Sequence, residues 1–374
     1  MATPGPRRVR GPLAPASPAS EVLPGERPEH AIVPAEMLPR LPERVRLAHG
    51  PTPIEFLPRL SARLGLELYV KRDDVTGFAE SGNKVRKLEF LIREALDQGA
   101  DTLITVGALQ SNCCRATAAV AARLGLRCVL GFRGERPAPA DGNLLLARLF
   151  GAEAVFVPPE EVDRPDALFA RLVERVCRAG GRPYVIPESG SNELGAFGYA
   201  AMVEELRAQI AAGAPAPDAI VIAAWSGGSL AGLHLGRALF GLEAEVWGVP
   251  VAFEADVIRD HVWTTAGKAA SRFDLDVAID RDAIRLLDGY QGLGRAAVQP
   301  AELRTVERAA REAGLLLDPV YTAKAFHALC EEARRGPGRF GRRVLFVHTG
   351  GGFGIFPFRE PLTRLLDGEP GGEA

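Results

Sequence analysis

Short apolar runs alternate along the chain with stretches in which apolar residues return every three to four positions. Runs at 66–71, 101–106, 126–132, 154–157, 184–186, 219–224, 244–249 and 343–347 have the length and composition of single strands. Helical spacing predicts helices over 110–124, 142–150, 167–179, 195–212, 230–240, 302–313 and 323–334. A further helix starts near Lys84, with Val85, Leu88, Leu91, Ile92 and Ala95 on one face. The Pro-rich stretch 213–217 breaks the pattern before the most apolar run, 219–224. Strand–helix alternation of this kind predicts an α/β fold, with parallel strands and helices on both faces. No internal repeat is visible.

The stretch Ser81-Gly-Asn-Lys-Val-Arg-Lys-Leu-Glu-Phe90 joins the strand at 66–71, through the polar loop 72–77, to a helix. Asn83 and Lys84 therefore stand where loop becomes helix. The first turn of a helix has unpaired N–H groups and the positive end of the dipole. A lysine there meets like charge, which favours its neutral amine, the form that Schiff-base chemistry requires. A solvated first turn with three basic residues reads the same way, so other motifs must decide.

Three more turns carry candidate chemistry. Ser226-Gly-Gly-Ser229 follows the most apolar strand and opens a helix, a setting that suits a phosphate; a tight turn with Ser229 as N-cap reads equally well. The glycines do not have dinucleotide-binding spacing. Gln110-Ser-Asn112 also sits between strand and helix, where it can bind a carboxylate or simply cap the helix. Asp318-Pro-Val-Tyr-Thr322 puts a phenol before a helix, either as acid or base or as a core tyrosine.

Composition narrows the classes. The 374 residues suffice for two α/β domains. With 45 Lys+Arg against 47 Asp+Glu, nothing favours nucleic acid or an acidic membrane surface as partner. No apolar run is long enough to span a bilayer. The cysteines, Cys113, Cys114, Cys128, Cys177 and Cys330, lack metal-ligand spacing, so no metal is expected; they fit free thiols in a cytoplasmic setting. Residues 1–40 are rich in Pro, Ala and Arg without an apolar signal core, and read as a disordered leader, an Arg-rich transit peptide being the alternative.

Taken in order, Val70-Lys-Arg-Asp-Asp74, Gly82-Asn-Lys-Val-Arg-Lys-Leu-Glu89, Gln110-Ser-Asn112, Ser191-Asn-Glu-Leu-Gly-Ala-Phe-Gly-Tyr199, Ser226-Gly-Gly-Ser229, Leu317-Asp-Pro-Val-Tyr-Thr322 and His348-Thr-Gly-Gly351 carry a resemblance. Over roughly residues 48–358 the chain resembles the D-cysteine desulfhydrase and 1-aminocyclopropane-1-carboxylate deaminase family. These are pyridoxal 5'-phosphate enzymes of the tryptophan synthase β-subunit type. The resemblance implies two open twisted sheets with helices on both faces. It implies a large cofactor-binding domain (41–87 plus 196–374), a small α/β domain (88–195) and a cleft between them. It implies that Lys84 bonds the cofactor and moves the Cα proton, with Tyr321 and Ser111 as further catalytic groups. Asn112 would contact the cofactor's ring hydroxyl, Ser226, Gly227, Gly228 and Ser229 its phosphate, and Thr322 and Thr349 its pyridine nitrogen. Ser111, Asn112, Cys113 and Tyr290 would bind substrate. A homodimer is implied as well.

Two stretches depart from the family pattern. Cys113-Cys114 stands where His or an amide often follows the Asn, and Gly352-Phe-Gly-Ile-Phe-Pro357 replaces a run of small residues. Both lie where substrate choice is set. The deaminases carry a carboxylate at the position of Thr322, and a hydroxyl cannot hold a pyridine nitrogen protonated as a carboxylate does. The expected reaction is therefore β-elimination from a small amino acid, with D-cysteine giving pyruvate, sulfide and ammonia. The alternatives are cyclopropane ring opening, a cysteate-type lyase, and a non-catalytic cofactor-binding protein on the same fold.

Overall fold

The computed structural model describes residues 39–157, 165–294, 297–336 and 338–368, so the leader expected over 1–40 lies almost wholly outside them. The strands form two sheets. One contains β1 (Ile54–Phe56), β2 (Glu67–Lys71), β7 (Ala219–Ala224), β8 (Glu245–Pro250), β9 (Arg285–Leu286) and β10 (Arg343–Val347), in the order β1-β2-β10-β7-β8-β9. Among the described strands, only β1 runs antiparallel, against β2. The other holds β3 (Thr102–Ala108), β4 (Arg127–Arg133), β5 (Glu153–Val157) and β6 (Pro183–Val185), all parallel, in the order β5-β4-β3-β6. The helices between them are α1 (Pro58–Leu64), α2 (Asn83–Asp97), α3 (Asn112–Leu124), α4 (Gly142–Leu149), α5 (Pro165–Arg178), α6 (Phe197–Ala211), α7 (Gly228–Phe240), α8 (Ala255–Arg272), α9 (Pro300–Ala313), α10 (Thr322–Arg335) and α11 (Arg359–Leu366).

The fold is thus α/β with two sheets flanked by helices, and the apolar runs explain why. β7 reads Ala-Ile-Val-Ile-Ala-Ala and is buried at all but one position, as a central parallel strand covered on both faces must be. β10 lies between β2 and β7, pairing Val344 with Leu68 on one side and Ala219 on the other. The four-stranded sheet draws only on residues between 102 and 185, while the six-stranded sheet takes strands from both flanks. The division we propose, a large domain (41–87 plus 196–374) and a small one (88–195), would give each domain one sheet. α8 is the longest helix among the described residues, yet the sequence pattern does not predict it. Its buried residues, Ile258, Val262, Ala266 and Ala269, keep helical spacing, but Thr264, Thr265 and Gly267 dilute the signal. The short β1, β9, α1 and α11 were also not predicted, because too few residues of each face the core.

A buried ionic cluster ties α2 to the six-stranded sheet. Arg86 on α2 donates to both Asp73 oxygens at 2.9 and 2.8 Å, and to Glu205 of α6 at 3.0 and 3.1 Å. Lys71, at the end of β2, donates to Glu205 and Gln209. Thr52 and Tyr199 each donate to Asp73 at 2.9 Å. Arg86, Asp73 and Lys71 are all buried, so each charge needs its partners to offset desolvation. Although burial opposes ionisation of Glu205, its bonds to Arg86 and Lys71 hold the carboxyl down at about 2, against an ordinary 4.5.

Glu205→Ala is expected to lower stability by about 3 kcal/mol, the scale for breaking a buried ion pair, measured as a shift in the guanidinium midpoint at neutral pH. Because the folded carboxyl titrates below its unfolded value, the stabilisation is complete above pH 4.5 and fades as pH falls towards about 2. Glu205→Gln should flatten that part of the acid limb. An unchanged acid limb in the Gln variant would show that Glu205 does not titrate as described.

Candidate active site

The carboxyl ends of β3, β7 and β10 and the amino ends of α2, α3, α7 and α10 meet at one cleft. In parallel sheets this is the side on which ligands bind. Lys84, Ser111, Asn112, Cys113, Ser226, Gly227, Gly228, Ser229, Tyr321 and Thr349 line it together, although they come from distant parts of the chain.

Lys84 occupies the first turn of α2. Burial is the main cause that lowers its amine below the ordinary lysine value, with Cys113 and Glu188 pulling the other way. One turn on, Lys87 shares the same helix face and the same cleft. It donates to the Ser191 hydroxyl at 3.0 Å and to the Ser189 carbonyl at 3.3 Å. Burial pushes its amine well below the ordinary value, and the charge of Lys84 pushes it further. The turn that presents both amines is pinned against the end of β10. Asn83 donates its N–H to the Thr349 carbonyl at 3.0 Å, and its side chain donates to Ser229 at 3.0 Å. Gly82 has φ 97°, and a Cβ there would lie 2.7 Å from that same carbonyl, so only glycine fits.

Across the cleft, the Ser226-Gly-Gly-Ser229 turn opens α7 with no side chain capping its first N–H groups. The Ser226 and Ser191 hydroxyls are 2.7 Å apart. A Cβ on Gly228 would stand 2.4 Å from the Ser191 hydroxyl and 3.0 Å from the Lys87 amine. Bare backbone donors, hydroxyls and a lysine thus surround one small space, a setting for an anion.

Ser111 caps α3, accepting the Cys114 N–H at 3.2 Å, while also lining the cleft. Asn112 accepts from Asn143 at 2.9 Å. The Cys113 thiol is buried and its pKa is raised by burial, against the pull of Lys84 and Lys87. Burial also raises the Tyr321 phenol, whose ring meets Trp225 edge-on at 5.4 Å.

Two expected site residues lie elsewhere. Thr322 is fully buried, and its hydroxyl donates to the Asp318 carboxylate at 2.7 Å and accepts the Asp318 N–H at 2.8 Å. Asp318 also accepts the N–H groups of Val320, Tyr321 and Thr322, so this pair closes the first turn of α10 instead of facing the cleft. Tyr290 donates to Glu332 at 2.6 Å and packs edge-on against His327, on the flank of α10. Conversely, Asn83, Lys87, Ser189 and Trp225 line the cleft although the sequence gives none of them a site role. Lys87 had a readable signal, its spacing of three from Lys84 in a helix. Ser189, a non-glycine residue at φ 63°, had none.

Residues 45–350 match the model of the family described as "Pyridoxal-phosphate dependent enzyme". The chain is 42% identical over 296 residues to a putative 1-aminocyclopropane-1-carboxylate deaminase of Thermotoga maritima, covering 79% of this chain and 91% of that one. It is 41% identical over 308 residues to a D-cysteine desulfhydrase of Yersinia pestis, covering 79% and 89%. It is 38% identical over 315 residues to a bifunctional mitochondrial enzyme of Arabidopsis thaliana named for both activities, covering 81% and 76%. The crystal structure of an ACC deaminase homologue superposes with a TM-score of 0.78 at 35% identity, covering 86% and 96%. The chain therefore belongs to the pyridoxal-phosphate dependent enzymes and, within them, to the D-cysteine desulfhydrase and 1-aminocyclopropane-1-carboxylate deaminase family. It is an enzyme, and its cofactor is pyridoxal phosphate.

The cleft suits that cofactor. A Cβ at Gly228 would fill the small space between Ser191, Lys87 and the start of α7, where a phosphate needs backbone donors and a cation. Lys84 offers a primary amine with lowered pKa for the aldehyde carbon. Gly228→Ala, with the cofactor retitrated by absorbance, should weaken binding at least tenfold, about the loss of one charge-assisted hydrogen bond, while leaving the circular dichroism unchanged. Unaltered affinity would mean that the turn has a structural role only.

Proposed function

We propose that this enzyme catalyses β-elimination from a small amino acid carrying a leaving group on Cβ, with D-cysteine as the first candidate: cysteine plus water gives pyruvate, hydrogen sulfide and ammonia. The supporting observation is that none of the described residues lining the cleft is a carboxylate. Glu188, whose charge reaches Lys84, is engaged by Arg133. Opening a cyclopropane ring breaks a carbon–carbon bond and demands strong electron withdrawal, which a carboxylate-held pyridinium supplies. Expelling sulfide demands less, since sulfide is a better leaving group. The Thr322 hydroxyl is committed to Asp318, so it is the cleft lining as a whole that leaves a pyridine nitrogen without a carboxylate partner.

Pyridoxal phosphate, when bound, supplies the electron sink that makes a Cα–H acidic. The side chains do the rest. Lys84, with its pKa lowered by burial, is the base that takes the proton from Cα. Ser111 and the backbone N–H of Asn112, at the start of α3, offer donors to the substrate carboxylate, while the Asn112 side-chain amide would contact the cofactor's ring oxygen. Tyr321, which burial keeps protonated, gives a proton to the departing sulfur. Cys113 bounds the space left for the substrate's side group. Lys87 and the Ser226–Ser229 turn would hold the phosphate, and Thr349, which also lines the cleft, would face the pyridine nitrogen. A cytoplasmic homodimer belongs to the same proposal, supported by five free thiols for the compartment and by family resemblance for the dimer. Ring opening is the second reading, favoured by the name of the Thermotoga maritima relative.

The test is a panel of D- and L-amino acids scored for sulfide and pyruvate, alongside 1-aminocyclopropane-1-carboxylate scored for ketobutyrate. Sulfide release at least a hundredfold faster than ring opening is expected, since each factor of ten needs only about 1.4 kcal/mol of barrier. Efficient turnover of the cyclopropane substrate would overturn the reading. Lys84→Ala should abolish both turnover and the borohydride-stable attachment of cofactor to the chain; attachment at Lys87 or Lys71 would displace Lys84 from its role.

A further inference from the structure

Behind the cleft, a chain of polar contacts has its direction imposed from one end. Arg115 on α3 is fully buried, and its guanidinium can only donate. It donates from Nε to the Asn143 side-chain oxygen Oδ1 at 2.8 Å, from one terminal nitrogen to the Ser81 backbone carbonyl at 2.9 Å, and from the other to the Ala79 backbone carbonyl. These acceptors are uncharged, and burial lowers its pKa to about 10. The ring of Phe353 covers the guanidinium, 5.1 Å away.

Asn143 on α4 is buried as well. Since its oxygen faces Arg115, its NH2 faces the opposite way. There it donates to the Gln110 carbonyl at 3.0 Å and to the Asn112 side-chain oxygen at 2.9 Å. Its own N–H is held by the Gln110 side chain at 2.9 Å. Asn112 therefore has no choice of orientation: with its oxygen bound to Asn143, its NH2 is the group left for the cleft.

We propose that Asn143 is a positioning residue that fixes the direction of the Asn112 amide, so that the cleft receives a donor and never an acceptor. Arg115 sets the polarity of the relay and links it to the turn 79–81, immediately before Lys84. The same contacts thus orient Asn112 and locate the segment that delivers the amine. A cofactor ring oxygen needs such a donor. The inference rests on the reading that Asn112 contacts this oxygen.

Asn143→Asp tests it with nearly unchanged shape. The carboxylate still accepts from Arg115 but cannot donate to Asn112, which must flip and turn its oxygen to the cleft. Cofactor affinity, followed by absorbance titration, should fall roughly tenfold, the value of one hydrogen bond, and the visible maximum of the bound cofactor should shift. In an Asn112→Ala background the same substitution should change neither quantity, since the group it acts through is gone. Asn143→Ala serves as a second variant should the aspartate prevent folding, with a smaller loss that must also vanish in the Asn112→Ala background. Equal losses in both backgrounds, or no loss in the wild-type background while Asn112→Ala weakens binding, would overturn the proposal. If Asn112→Ala alone leaves affinity and spectrum unchanged, the underlying reading of Asn112 fails, and the relay to the cofactor fails with it.

Discussion

The arrangement depends on the bond between Arg86 and its two carboxylates. Arg86 sits two residues after Lys84, and its partners come from the loop after β2 and from α6. A buried guanidinium tolerates little displacement, because each lost contact leaves a charge without water or partner. The first turn of α2 is therefore fixed in position and in rotation about the helix axis. Rotation matters because Val85, Leu88 and Leu91 must enter the core while Lys84 and Lys87 emerge into the cleft. The apolar stripe alone would allow the helix to slide; the ionic cluster sets the register.

That register puts two lysine amines, both lowered below the ordinary lysine value, into one space where no described lining residue is a carboxylate. Burial and mutual repulsion act together on Lys87, while Cys113 and Glu188 moderate Lys84. The two lysines are thereby set apart. One donates to neutral oxygens beside an uncapped helix end, where an anion completes the site. The other lies beside a thiol and a phenol that burial keeps protonated.

Much of this was legible from the residues. The central strands were, because burial on both faces leaves uninterrupted apolar runs, as in β7 and β10. The glycine and hydroxyl turns were, because each falls between an apolar run and a helical stripe. The direction of side chains within a turn was not. Thr322 follows Tyr321 directly, yet a helical step of about 100° sends one to Asp318 and the other to the cleft. Tyr290 carries the chemistry of a site residue, but its hydroxyl is taken by Glu332. Asn143 lies 31 residues from Asn112, and no local pattern links them.

The paired lysines also bear on how the folded chain is held together. Without an anion, the lysine amines of α2 repel the uncapped, electropositive start of α7. A phosphate dianion cancels that repulsion, so the cofactor is a counter-ion before it is a reagent. The stability of the protein should therefore track cofactor supply by mass action. Inorganic phosphate, which has the charge but not the ring, should recover part of that stability and none of the chemistry.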